Sequence, residues 1–229
     1  KGMPGIASLI DKWMGSLGLY HANVVNSPWT EAQFADYPAS YRRRIRRIDH
    51  GVAGPRQIYE KKAARAAFNL PPDAWLAVST GRLSPQKNHI ALVGALPRLA
   101  GLHVAIAGAG PEHDRLMAFA RKHKVADRLH FVGEVEPARI FEFLAAGDVF
   151  VFPSTNETFG LSAAEAAIAG LPVVANGLPV LREVLATSHG EPAALFVEGG
   201  DAAGFAQALA DIVDNPELAH RLADSGKQL

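Results

Sequence analysis

From residue 75 onward, short runs of β-branched and aromatic residues alternate with stretches whose apolar positions recur every three or four residues. The runs are Trp75–Val78, Val104–Ala107, His130–Val132, Val149–Phe152, Val173–Ala175 and Leu195–Val197. Each is four residues or fewer and nearly continuous in apolar character, as suits strands covered on both faces. Helices are expected near 88–100, 111–124, 137–146, 160–170, 179–187, 202–213 and 216–225. Phe205, Ala208, Leu209 and Ile212 show the buried stripe in one of them. Six strands alternating with helices predict an α/β fold built on a doubly wound, open parallel sheet. Pro97 falls inside the first of these helices and predicts a kink.

The first third of the chain follows a different pattern. Ile6, Leu9, Ile10, Trp13 and Leu17 share one helical face, with Asp11 and Lys12 on the other, which predicts an amphipathic core helix. A short strand at 22–25 is followed by Ser27-Pro28-Trp29-Thr30, where Ser27 suits an N-cap and Pro28 the first helical position. Residues 41–56 read as connector, with a domain boundary near 55. A helix is expected at about 56–69, closed by Pro71-Pro72.

Composition narrows the function classes. The 229 residues are 48% apolar, enough to bury a large core and to exclude disorder as the main state. Basic and acidic residues balance at 23 each, so no global charge favours nucleic acid or anionic membrane, and any anion site must be local. Within that balance, residues 1–70 carry 11 Lys/Arg against 5 Asp/Glu, and the rest of the chain has the opposite excess. Cysteine is absent, which excludes disulfides, thiolate nucleophiles and Cys-ligated zinc and fits a cytoplasmic setting. No run reaches the roughly 18 apolar residues of a membrane span, and the amino terminus lacks a signal-peptide pattern. The chain opens at Lys1, as a fragment or a processed chain would. Five arginines fall within Arg42 to Arg47. Without aromatic stacking residues beside them, nucleic-acid binding is not expected, whereas peripheral contact with the inner face of a membrane is. The nine histidines show no metal-binding spacing, and most are expected in loops or on the surface.

In a doubly wound sheet, ligands bind at the carboxyl ends of the strands, and three of the loops there carry candidate chemistry. After the first strand, Ser79-Thr80-Gly81-Arg82-Leu83-Ser84-Pro85-Gln86-Lys87 places Arg82 in the loop and Lys87 near the start of the next helix. Two cations there suit a diphosphate, although a surface Arg and Lys in a loop would read the same. After the second strand, Gly108-Ala109-Gly110-Pro111 permits close backbone approach to a ligand. A tight strand-to-helix turn explains these glycines nearly as well, and a dinucleotide fingerprint is not supported because His113 stands where the third glycine would be. The fourth strand runs into Pro153-Ser154-Thr155-Asn156-Glu157-Thr158-Phe159-Gly160-Leu161, with Glu165 about a turn inside the following helix. Helix amides attract an anion, and carboxylates accept from sugar hydroxyls, so the pair flanking a helix start suits a ligand with both groups.

These residues resemble the carboxyl-terminal domain of retaining glycosyltransferases of the GT-B fold, family 4, the glycosyl transferases group 1. The resemblance rests on Gly81-Arg82-Leu83 with Lys87-Asn88, Ala107-Gly108-Ala109-Gly110-Pro111, Phe131-Val132-Gly133, Gly147-Asp148 through Ser154, the E-x7-E pair Glu157 and Glu165, and Gly170-Leu171-Pro172. It covers residues 56–225, and 21–55 resemble the end of the amino-terminal domain and the linker. The resemblance implies a Rossmann-like donor domain over 56–229, preceded over 1–55 by a remnant of the amino-terminal domain. It implies a UDP, GDP or ADP sugar as donor, with no cofactor and no metal, in keeping with the absence of a D-x-D sequence. Arg82 and Lys87 would hold the diphosphate, Glu157 the hydroxyls of the transferred sugar, and Glu165 the ribose. Amides around Thr158, Phe159, Gly160 and Leu161 would meet the phosphates or sugar, Gly108 would lie against the donor, and the base would lie near Val132 and Gly133. The acceptor would sit on an amino-terminal domain that is almost wholly outside this sequence, in polysaccharide or glycoconjugate synthesis. A non-catalytic nucleotide-sugar module and a sugar-nucleotide 2-epimerase are the alternatives. The pattern departs from the family at His50 and Ala53, and in Gly177-Leu178, where a Gly-Gly pair is common.

Overall fold

The computed structural model describes residues 5–229, with side chains from residue 9 onward. They fall into two compact units divided between Gly51 and Val52, against an expected boundary near 55.

The smaller unit contains α1 (Gly5–Ser16), β1 (Asn23–Val25), α2 (Pro28–Ala32), α3 (Ala39–Arg42) and β2 (Ile45–Arg47). Ser27 caps α2, its hydroxyl accepting from the Thr30 amide at 3.0 Å. The stretch expected to be connector holds a strand: β2 pairs in parallel with β1, Asn23 opposite Ile45 and Val25 opposite Arg47. Ladder bonds form there despite the arginines because backbone pairing, not side-chain hydrophobicity, defines the strand. The amphipathic reading of α1 is also corrected. Leu9, Ile10, Trp13 and Leu17 are all more than half exposed, while Ile6 lies outside the residues whose side chains are described. The face turned inward is that of Asp11 and Gly15. Tyr41 of α3 lies so close to Gly15 that a Cβ there would enter its ring, and its hydroxyl reaches Asp11 Oδ2 at 3.5 Å. Desolvation, with the Asp11 charge next, pushes the Tyr41 phenol up to about 12. Arg44 closes the end of α1 by donating to the Gly15 carbonyl at 3.1 Å.

The larger unit runs through α4 (Lys61–Ala67), β3 (Trp75–Thr80), α5 (His89–Ala95), β4 (Leu102–Ala107), α6 (His113–Lys122), β5 (Leu129–Gly133), α7 (Ile140–Ala145), β6 (Val149–Phe152), α8 (Leu161–Ile168), β7 (Val173–Asn176), α9 (Pro179–Val184), β8 (Ala194–Val197), α10 (Ala202–Asp214) and α11 (Pro216–Gly226). The expected strands form one six-stranded parallel sheet in the order β5-β4-β3-β6-β7-β8. Every residue of β6 and β7 is buried, which is why these runs are continuously apolar rather than alternating. Two helices differ from expectation. α4 begins at Lys61 rather than 56, and α5 gives way after Ala95 to a 3-10 turn over Leu96–Arg98. That turn is the form taken by the irregularity expected at Pro97, which has no N–H to continue the α ladder.

Asp148, just before β6, ties this unit together. Its carboxylate accepts from Arg65 Nη2 at 2.7 Å, from Lys61 Nζ at 2.6 Å and from the Leu76 amide at 2.8 Å. Arg65 is buried and also donates to the Ala146 and Pro72 carbonyls, so its charge is fully satisfied. One carboxylate thus joins α4 to the starts of the two central strands.

The strand order has a direct consequence. The chain leaves β3 in one direction to lay down β4 and β5, then crosses back to begin β6 on the other side of β3. The switch point of the sheet therefore falls between β3 and β6, where the carboxyl edge of an α/β sheet binds its ligands.

Candidate functional site

The loops that carry the candidate residues are fastened to one another by backbone. Beyond the ends of the strands, Gly81 N donates to the Ala107 carbonyl, Leu83 N to Ala109, and Gly108 N to Gly133 at 2.7 Å. Gly108 has φ of +147°, and a Cβ there would run into the Gly81 carbonyl. The glycine of the β4 loop is thus required by the neighbouring β3 loop, as the tight-turn explanation expects. The β6 loop is held equally firmly. The Gln86 carbonyl accepts from Thr155 N at 2.9 Å, and Asn88, in the left-handed region at φ +51°, donates to the Pro153 and Gly200 carbonyls. Asn176 Nδ2 donates to the Ser154 carbonyl at 3.0 Å.

Lys87 lies near the start of the next helix, as expected. It lies in the 3-10 turn Pro85–Lys87, and α5 starts two residues later at His89. Its Nζ is 2.5 Å from Glu157 Oε1 and 5.1 Å from the centroid of the Phe152 ring, and only 24% of the lysine side chain and 11% of the glutamate are exposed. The structure thus brings together two predicted residues 70 positions apart as a mutually neutralised pair. Arg82 is exposed and makes no ion pair or side-chain hydrogen bond among the described residues. It lines a cavity of about 460 Å³ with Gly108, Ala109, Gly110 and Glu134.

Gly160 caps α8 at φ +90°, where a Cβ would collide with Leu181 of α9, so only glycine can make this turn. Leu161 and Ser162 open the helix, and their amides belong to the first turn that has no intrahelical acceptor. Thr158 and Phe159 lie in the bend leading to it. Glu165 sits one turn further along α8, half-buried and without a hydrogen-bond partner among the described residues; burial pushes its carboxyl up from the usual range. Val132 lines a separate cavity of about 550 Å³ with Phe68, His130, Glu134 and Arg139. Gly133 closes β5 at φ +75° and gives its carbonyl to Gly108. A third cavity, of about 370 Å³, lies at the switch point between Thr80, Gly81, Gly108, Pro137, Ile140 and Ser162. Glu134 borders all three cavities.

Three histidines depart from the surface or loop placement expected of most. His89 is buried beside Lys87, its Nδ1 without a partner, and burial together with the Lys87 charge lowers it to about 4. His103 of β4 and His130 of β5 stack, Nδ1 to Nε2 at 3.0 Å, and burial lowers both. Parallel register had to be known before these last two could be placed side by side. The arginine run is likewise divided in the structure: Arg44 caps α1, Arg46 donates to the Arg43 carbonyl, and Arg47 pairs with Asp49 at 3.1 Å, while Arg42, Arg43, Arg46 and Arg47 are all exposed. Among the described residues, no group of three or more His, Asp or Glu is disposed to hold a metal ion.

The six-stranded parallel α/β sheet matches the Rossmann-like fold of GT-B glycosyltransferases, and the chain belongs to the glycosyl transferases group 1 family, which it matches over residues 60–229. It is 36% identical over 182 residues to D-inositol 3-phosphate glycosyltransferase 2 of Catenulispora acidiphila, covering 73% of this chain and 41% of that protein. It is 32% identical over 205 residues to the lipopolysaccharide core biosynthesis glycosyltransferase LpsE of Rhizobium meliloti, covering 90% and 57%. Among solved structures, sucrose-phosphate synthase from Thermosynechococcus elongatus superposes with a TM-score of 0.79 at 25% identity over 98% of this chain and 58% of that one. Anabaena HepE in complex with UDP-glucose superposes with a TM-score of 0.77 at 19% identity, covering 90% and 58%. The chain spans about half the length of the curated relatives it matches, from 41% to 57% in these two.

Proposed function

We propose that the unit from Val52 to Leu229 binds a nucleotide diphosphate sugar in the crevice between the β3 and β6 loops and forms the donor half of a retaining hexosyltransferase. The observation that carries this reading is the 2.5 Å pairing of Lys87 with Glu157 at the switch point, beside the start of α8 and the unpaired Arg82 loop. An incoming diphosphate competes with Glu157 for Lys87, and the released carboxylate is then free to accept from sugar hydroxyls. As the glycosidic bond breaks, its electron pair passes to the diphosphate, and Arg82 and Lys87 stabilise that charge without a metal. Glu165 takes the ribose hydroxyls, the amides of Phe159, Gly160 and Leu161 meet the phosphates or sugar, and the base lies near Val132 and Gly133.

In this reading the acceptor is held by a further, amino-terminal domain. The product belongs to polysaccharide or glycoconjugate synthesis in the cytoplasm, with Arg42 and Arg43 meeting the inner face of the membrane. Similarity to the lipopolysaccharide core enzyme of Rhizobium meliloti supports the synthetic role. Calorimetric titration with UDP, GDP, ADP and their sugars tests the site. Binding of one series, weakened by Arg82→Ala, is expected, and no binding by any of them overturns the reading. An epimerised sugar appearing without acceptor identifies an epimerase instead.

A further inference from the structure

Two adjacent hydroxyls end β3 without partners. Ser79 is fully buried and Thr80 is 6% exposed, and neither Ser79 Oγ nor Thr80 Oγ1 has a hydrogen bond. A buried hydroxyl with no partner is uncommon and calls for a reason. Strand alternation sends the two side chains to opposite faces of the sheet. The Thr80 face is the one on which Val78 meets Gly147 at the end of α7, close enough that a Cβ on that glycine would clash with Val78. Thr80 accordingly forms part of the wall of the 370 Å³ crevice, between Ile140 at the start of α7 and Ser162 at the start of α8.

The surroundings select what that hydroxyl could bond. The amides of the two glycines in the crevice wall are already committed, Gly81 N to the Ala107 carbonyl and Gly108 N to the Gly133 carbonyl. Among the residues that border this crevice, the Thr80 hydroxyl and the start of α8 at Ser162 can still donate, while Arg82, two residues along the loop, lines the neighbouring 460 Å³ cavity. Thr80 and Ser162 border the same crevice, and a hydroxyl beside free first-turn amides can donate to an anionic oxygen. The carboxylates that border the same crevice, Glu134 and Glu136, lie in the segment that follows β5.

We propose that Thr80 is a donor-binding residue whose hydroxyl donates to a phosphate oxygen of a nucleoside diphosphate, completing the cradle formed by Arg82 and the start of α8. This rests on the donor-site reading above and adds to it a group that the resemblance does not assign. The orphan hydroxyl then has a physical account: it is left unpaired in the empty site because its partner arrives with the ligand.

The test uses the 229-residue chain with Thr80→Val, Thr80→Ser and Ser79→Ala, each measured for thermal midpoint and for affinity to whichever of UDP, GDP and ADP the unsubstituted chain binds best. Valine keeps the shape and removes only the hydroxyl. In Thr80→Val, affinity is expected to fall about tenfold or more, the scale of a hydrogen bond to a charged group, while the midpoint of the empty protein rises by about 2–4 °C. Thr80→Ser retains affinity, and Ser79→Ala raises the midpoint without changing affinity. Unchanged affinity in Thr80→Val overturns the proposal and leaves the donor site standing. A lowered midpoint or failure to fold in Thr80→Val also overturns it, because the hydroxyl then serves the empty fold. No binding of any nucleoside diphosphate by the unsubstituted chain removes both readings together.

Discussion

Helices α1 and α10 carry the same kind of amphipathic pattern and meet opposite fates. In α10, Phe205, Ala208, Leu209 and Ile212 are buried, packed in a core that includes Leu92, Val93 and Leu96. In α1, the equivalent stripe of Leu9, Ile10, Trp13 and Leu17 is exposed, and the helix instead seats Gly15 against Tyr41. Periodicity states which residues share a face. Whether that face is covered depends on what the topology brings opposite it, and a six-stranded sheet supplies to α10 what the paired strands β1 and β2 do not supply to α1.

The contrast can be broken experimentally. Phe205→Ala is expected to cost about 3–5 kcal/mol in urea unfolding, and Asp148→Ala a similar amount because it strands the buried Arg65 charge. Leu9→Ala should stay within about 0.5 kcal/mol. Equal penalties in α1 and α10 would show that the α1 stripe is covered in solution. The arginines offer the same comparison in ligand binding. Arg82→Ala should weaken nucleoside diphosphate binding by about 1.5–3 kcal/mol, whereas Arg42→Ala and Arg43→Ala should leave it unchanged, and an effect of the latter pair would move the anion site out of the larger unit.

A third difference concerns pH. The folded state holds His89 near 4, below its ordinary value of 6.5, so between these values the unfolded chain binds more protons and stability falls as pH drops. The loss between pH 7 and 5 should be about 2 kcal/mol, measured as the difference between the intact protein and His89→Gln; a zero difference would mean that the imidazole is solvated. The smallest effect is expected for Glu157→Gln, which should alter discrimination among sugars more than affinity for the free nucleotide in parallel titrations, since it touches the diphosphate only by releasing Lys87. The opposite result would exchange the roles of Glu157 and Glu165.

Much of the fold was legible in the residues because the larger unit is covered on both faces: every strand of the sheet is a short apolar run, and each was placed within two residues of its observed ends. β2 was not legible, since Ile45-Arg46-Arg47 is a strand only by virtue of the ladder it makes with β1. The site divides in the same way. Arg82, Lys87, Glu157 and Glu165 could be named from their place after predicted strands, where an α/β sheet binds its ligands.

The sequence by itself determined the fold class, the loops that carry the candidate residues and the residue types in them, because strand periodicity, turn glycines and family motifs are local or ordered along the chain. Only the tertiary structure decided that Lys87 and Glu157 neutralise each other, that Gly108 makes room for the Gly81 carbonyl, that His103 meets His130, and that the Thr80 hydroxyl is left alone beside a cavity. Each of these depends on which strands are neighbours and in what register, a property of long-range packing that no local pattern encodes.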